Sequence, residues 1–90
     1  MNRVVVYSKQ GCPFCSLLKL ELGKRRITYD EFDLSDDNVR KAFYAASGAN
    51  TVPQVYVTDV ECGVDSPSGT SLGGYESVST SWNTLIKMLA

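Results

Sequence analysis

The chain has ninety residues, nine basic against ten acidic side chains, and 43% hydrophobic residues that include one tryptophan, five tyrosines and three phenylalanines. That length and apolar content suit one domain over residues 1–90 with a core of its own. The near balance of charge gives no basic footprint for nucleic acid or an anionic membrane, and no stretch approaches the roughly 20 apolar residues of a spanning helix.

In chain order, Val4 to Tyr7 form a continuous apolar run with β-branched residues, the pattern of a strand buried on both faces. Pro13 suits the first position of a helix, where a missing N–H costs nothing. Leu17, Leu18, Leu20 and Leu22 carry that helix, which should end near Gly23 and the basic run Lys24-Arg25-Arg26. Residues Ile27 to Leu34 alternate loosely and read as a second strand. Ser35-Asp36-Asp37-Asn38 offers N-cap candidates for a second helix, striped by Val39, Ala42, Phe43 and Ala46 and stopped by Gly48. A third strand runs from Thr51 to Val57, with Pro53 near its opening. Residues 58–72, "TDVECGVDSPSGTSL", read as a turn-rich excursion with an uncertain short strand. After Gly73-Gly74, positions Val78, Trp82, Leu85, Ile86 and Leu89 recur at helical spacing and predict one closing amphipathic helix. The order β-α-β at the start argues for parallel strands with helices packed on a sheet.

Between the first strand and the first helix stands Cys12-Pro13-Phe14-Cys15. Such a pair can be a disulfide, half of a zinc site or a redox couple. The chain has no histidine and only three cysteines, too few ligands for a closed zinc site within one chain. Absence of histidine also removes Ser-His-Asp and Cys-His catalysis. The N-terminus "MNRVVVYSKQ" lacks the longer apolar segment and cleavage site of a signal peptide, so a cytoplasmic protein is expected, and there a close cysteine pair is catalytic or metal-binding more often than structural. At i and i+3 on a helical turn the two Cβ atoms come within about 5–6 Å, close to disulfide distance. Cys12 falls at the N-cap, beside unpaired backbone N–H groups and the positive end of the helix dipole, which favours the attacking thiolate. Cys15, one turn in, is more sheltered and suits a resolving role. The pair reads as a redox couple.

Four features in register, Tyr7-Ser8-Lys9, Cys12-Pro13-Phe14-Cys15, Thr51-Val52-Pro53 and Gly73-Gly74-Tyr75-Glu76, make the chain resemble a dithiol glutaredoxin of the thioredoxin-fold superfamily. The resemblance spans nearly the whole chain. It implies an α/β, thioredoxin-like fold, with a small mixed central sheet of about four strands flanked by three helices. Phe14 departs from the tyrosine commonest in the family, keeping the ring and losing a hydroxyl. Glu76 replaces the usual aspartate. Thioredoxins are less similar, with Gly-Pro between their cysteines and a tryptophan just before them.

What the resemblance further implies is a glutathione-dependent thiol–disulfide oxidoreductase acting as a monomer, with no bound cofactor or metal and with glutathione as co-substrate. Its other partners would be disulfide-containing or glutathionylated proteins, ribonucleotide reductase being a frequent one in the family. Pro53 would be cis, and Val52, after Thr51, would offer its backbone to the cysteinyl part of glutathione. Lys9 would hold the glycyl carboxylate. Gly74, with the N–H groups of Tyr75 and Glu76, would face the γ-glutamyl carboxylate, Glu76 would pair with the γ-glutamyl ammonium, and Phe14 would pack on the substrate. Competing readings are a thioredoxin-like donor recycled by a flavoprotein reductase, a glutathione-ligated iron–sulfur carrier, and a binding module with structural cysteines. Residues 58–72 depart most from the family, which usually has a short hairpin there. They are expected to form an enlarged exposed excursion with its tip at Ser66-Pro67-Ser68-Gly69. This excursion carries Cys62, read as a non-catalytic thiol or as a regulatory surface thiol.

Overall fold

A computed structural model of the chain describes residues 2–90. Four strands and four helices follow one another as β1 (Arg3–Ser8), α1 (Pro13–Lys24), β2 (Tyr29–Asp33), α2 (Asp37–Ser47), β3 (Gln54–Thr58), β4 (Thr70–Gly73), α3 (Tyr75–Ser79) and α4 (Trp82–Leu89). The sheet order is β2-β1-β3-β4, with β1 parallel to β2 and the other two pairings antiparallel. This is the mixed four-strand, thioredoxin-like sheet that the resemblance implied.

The apolar run of β1 supplies both layers of core. Val4 and Val6 point to one face and pack with Leu18, Leu22, Val55, Val57, Val78 and Leu85, beneath α1, α3 and α4. Val5 and Tyr7 point to the other and pack with Leu34, Phe43 and Tyr56, beneath α2. Tyr7 lies in an aromatic stack, its ring centroid 4.3 Å from Phe43 and 5.1 Å from Phe32, contacts worth about 0.5–1.5 kcal/mol each beyond the area they bury. The ends of α2 follow the local chemistry of its sequence. The Asp36 carboxylate accepts from the N–H groups of Asn38 and Val39, and Gly48 closes the helix in the left-handed region.

Two expectations are corrected. The single closing helix is broken at Thr80 and Ser81. Hydroxyls of Ser79, Thr80 and Ser81 donate to the Glu76 and Ser77 carbonyls, and the Ser81 N–H bonds to the Val78 carbonyl in a tight turn, so local side-chain bonds displace the helical ladder. Apolar spacing runs on across the break, which is why it reads as one helix in sequence. Three flanking helices thus become four.

The excursion is shorter and less exposed than predicted. Thr58 is buried in β3, and residues 70–72 pair with β3 as part of β4, leaving only 59–69 as connection. Its tip is Val64–Asp65, closed by paired backbone hydrogen bonds between Gly63 and Ser66. The Tyr7 hydroxyl donates to the Gly63 carbonyl at 2.8 Å, the Arg3 guanidinium donates to the Val60 carbonyl at 2.7 Å, and Cys62 and Val64 pack on the α2-side core. Gly69 has φ +97°, and a Cβ there would collide with the Val57 carbonyl oxygen, so only glycine lets the chain turn back this close to β3. Among the described residues no helix is long and apolar enough to cross a membrane.

Candidate active site

The turn from β1 into α1 sets the two cysteines in different surroundings. Cys12 is the N-cap, with extended backbone (φ −99°, ψ 109°), and Pro13 opens the helix. The Cys12 sulfur accepts the Cys15 N–H at 3.2 Å and lies 3.8 Å from the Val52 carbonyl oxygen, within reach of the thiol as a weak donor. A free N–H of the first helical turn is thus spent on sulfur, the capping interaction a serine or aspartate usually provides. Cys12 keeps 9% of its surface accessible and Cys15 only 1%. Both are free thiols. Burial, with the hydrogen bond to the Cys12 sulfur adding to it, pushes the Cys15 thiol up to about 11; the Lys9 backbone N–H and the Lys19 charge oppose the rise.

Beside the Cys12–Val52 contact runs a groove of about 410 Å³, lined by Phe14, Thr51, Val52, Pro53, Gly74, Tyr75, Glu76 and Ser77. The Val52–Pro53 bond is cis, as the resemblance implied. The Gln54 amide donates to the Thr51 carbonyl and hydroxyl at 3.1 and 3.2 Å, tying down the turn before β3. The opposite wall is the end of β4 and the start of α3. Gly74 stands against Pro53, where a Cβ would lie 3.4 Å from the Pro53 carbonyl oxygen. Phe14 and Tyr75 stack across the mouth with ring centroids 5.8 Å apart. Glu76 is exposed and has no ion-pair partner among the described residues.

Of the residues expected at the site, Lys9 alone lies outside this assembly of groove and cysteines. It lines a separate polar cavity of about 230 Å³ with Ser8, Gln10, Lys19, Glu31 and Asp33. There Glu31 accepts from the Ser8 hydroxyl and from the Lys19 ammonium at 2.9 Å. The Ser8 bond, and then Lys19, hold the Glu31 carboxyl below its ordinary range, and Glu31 in turn raises Lys19. Ser77 is a groove residue that the sequence reading missed; its only signal was its place one residue after Glu76. Among the described residues no three His, Cys, Asp or Glu side chains gather in a metal-holding group.

A family model described as Glutaredoxin matches residues 4–61. The chain belongs to the glutaredoxin family. Glutaredoxin 1 of Rickettsia typhi is 30% identical over 66 residues, covering 70% of this chain and 64% of that protein, so the matched stretch spans just under two thirds of the relative's length. A crystal structure of buckwheat glutaredoxin in complex with glutathione superposes with a TM-score of 0.73 at 28% identity, covering 98% of this chain and 76% of that one. Francisella tularensis glutaredoxin 1, complexed with cacodylate, shares the fold with a TM-score of 0.75 at 22% identity, over 97% of this chain and 99% of that one.

Proposed function

We propose that this glutaredoxin is a glutathione-dependent thiol–disulfide oxidoreductase in which Cys12 attacks and Cys15 resolves. The observation that carries the reading is the asymmetry of the pair. One sulfur lies against the Val52 carbonyl at the edge of the groove, keeps a little accessible surface and takes a backbone N–H. The other is buried behind it and keeps its proton.

With a protein–glutathione mixed disulfide, the Cys12 thiolate attacks the glutathionyl sulfur. The protein thiolate leaves and takes up a proton, and the glutathionyl group stays on Cys12. A second glutathione thiolate attacks that same glutathionyl sulfur, releasing oxidised glutathione and regenerating Cys12. With a protein disulfide, Cys12 forms a mixed disulfide with the substrate. Cys15 then gives up its proton and attacks Cys12 sulfur, releasing the reduced substrate and leaving a Cys12–Cys15 disulfide that two glutathiones reduce. Two electrons pass in each case.

In the groove, the Val52 backbone would pair with the cysteinyl part of glutathione as an added extended strand. Thr51 and Pro53 would shape that edge, and Glu76 would meet the γ-glutamyl ammonium with Gly74 and Tyr75 beside it. The Phe14 ring, 56% exposed, would cover the ligand. We assign Lys9 to the glycyl carboxylate, a role in which its side chain turns from the neighbouring cavity toward the ligand. Residues 1–90 would act as one monomeric glutaredoxin domain in the cytoplasm, on glutathionylated or disulfide-bearing proteins.

The test is glutathione-dependent reduction of a small mixed disulfide by wild type, Cys12→Ser and Cys15→Ser. Activity that persists in Cys12→Ser, or that depends on a flavoprotein reductase instead of glutathione, would overturn the proposal.

A further inference from the structure

Strand β3 is buried from end to end, and it opens on a glutamine: Gln54 keeps only 9% of its surface accessible. Gln54 is the cross-strand partner of Tyr7, so both side chains face the α2 side of the sheet, away from α1 and the cysteines. A buried amide is costly unless it is hydrogen-bonded. Here the amide nitrogen reaches back past Pro53 and donates to the Thr51 carbonyl at 3.1 Å and to the Thr51 hydroxyl at 3.2 Å. The side chain is not part of the groove lining, and the proposed cycle does not use it.

The Thr51 carbonyl and the Val52 N–H belong to one planar trans peptide unit, in which they point in opposite directions. A carbonyl held toward Gln54 therefore leaves the Val52 N–H facing away from it. Val52 belongs to neither α2 nor β3, and no group among the described residues accepts its N–H. The Val52 side chain is packed on the α2-side core, and its carbonyl oxygen lies 3.8 Å from the Cys12 sulfur. A backbone donor without a protein acceptor, at the edge of a groove and one residue from that contact's fixed anchor, is a donor kept for a ligand.

We propose that Gln54 is a positioning residue for the thiol substrate: by holding the Thr51 carbonyl, it fixes the Val52 N–H as a donor to the ligand. It sets affinity without touching the ligand or the reacting sulfurs. Without this clamp the peptide between Thr51 and Val52 is ordered only when the ligand binds, which weakens binding and leaves the later chemistry unchanged. The proposal rests on the reading of the Val52 edge as the strand that pairs with glutathione.

The probe is S-methylglutathione, which carries no free thiol to react, titrated into reduced, isotope-labelled protein and followed by the Val52 amide resonance. Gln54→Met keeps the length of the side chain and loses the donor. It should bind the probe about fivefold more weakly than wild type, the effect of one weakened hydrogen bond. Its kcat on a small glutathione mixed disulfide should stay within about twofold of wild type, so that the loss falls on KM. A space-filling role alone would let methionine keep wild-type affinity. Equal probe affinity in the two proteins, or a fall in kcat with KM unchanged, would overturn the proposal. Wild type gives a second test that needs no variant. The Gln54 side-chain amide protons should exchange with water at least about tenfold more slowly than those of exposed Gln10, and equal exchange would mean that the clamp is not held. A Val52 resonance that the probe leaves unmoved in wild type would instead strike the glutathione reading of the groove, so the two failures are distinguishable.

Discussion

The proton held on Cys15 should leave a signature in stability. Burial and the bond to the Cys12 sulfur raise this thiol from 9.0 to about 11, so the folded protein keeps a proton that the unfolded chain gives up earlier. With the folded value above the unfolded one, the contribution is fully present below about pH 9 and is lost as pH rises through about 11. A gap of about two pH units corresponds to roughly 3 kcal/mol, of which about 2 kcal/mol has gone by about pH 10.5. Reduced wild type and Cys15→Ala would be unfolded in urea at about pH 7.5 and about pH 10.5, conditions that bracket most of that change. Lost packing at Cys15 offsets the variant equally at both values, and titrating groups that do not touch Cys15 cancel in the comparison. Wild type should therefore lose about 2 kcal/mol more than the variant over this interval. Equal losses would mean that burial does not hold the proton on Cys15, and the division between attacking and resolving thiol would lose its physical basis. In the proposed cycle the same proton would have a use: a Cys15 that stays neutral would not compete with Cys12 for the substrate sulfur, and would become a nucleophile only when the mixed disulfide forms beside it.

Cys12→Ser should abolish reduction of both protein disulfides and glutathione mixed disulfides, whereas Cys15→Ser should lose the first and keep the second; parallel losses in the two variants would contradict the assigned roles. Glu76→Ala and Lys9→Ala should each raise the apparent glutathione KM more than they lower kcat, as expected of groups that only bind substrate. An unchanged KM in Lys9→Ala alone would leave that side chain in its polar cavity and out of the site. Gly69→Ala should cost roughly 1–3 kcal/mol in urea unfolding, because alanine at positive φ is strained and its Cβ meets the Val57 carbonyl. Cys62→Ser should leave glutathione-dependent turnover within about twofold of wild type, the behaviour of a position outside the reacting atoms; a large loss under reducing conditions would put Cys62 in the cycle.

Much of the fold was legible because its determinants are local. Pro13 can only begin a helix, so Cys12 before it had to be the cap. Asp36 and Gly48 bracket the second helix by side-chain capping and by a left-handed turn. The unbroken run of Val4 to Tyr7 announced a strand covered on both faces, and both cores are built on it. What was not legible depended on competition between local and longer-range bonds. Hydroxyls at 79–81 took the carbonyls a continuous helix would have used, while the apolar phase carried on unchanged. Residues 58–72 are rich in turn formers, but which of them form the tip is decided by the Tyr7 hydroxyl and the Arg3 guanidinium, far away in sequence. Lys9 follows the end of β1 and lines the polar cavity on the far side of that turn from the groove, a placement that spacing from Cys12 cannot reveal.

The β3–β4 hairpin shows why the segment in which the family match ends lies clear of the candidate site. Its open end builds the groove. Val55 pairs with Gly73, so the chain entering β3 at Pro53 and the chain leaving β4 at Gly74 come together as the two walls. Its closed end, beyond Thr58 and before Thr70, is where residues 59–69 are placed, and the family match stops inside them at residue 61. That connection folds back over the α2 face of the sheet, against Val5 and Tyr7, while α1 with its cysteines covers the other face. The register of five residue pairs between β1 and β3, from Arg3 with Thr58 to Tyr7 with Gln54, lies between the two ends and is buried throughout β3. Length can therefore change at the closed end without moving the groove walls, provided that Gly69 lets the returning chain pass β3. The cost of such a connection is mainly closure entropy, which grows only slowly with length, and the contacts of Cys62, Val64 and Gly63 with the core offset part of it.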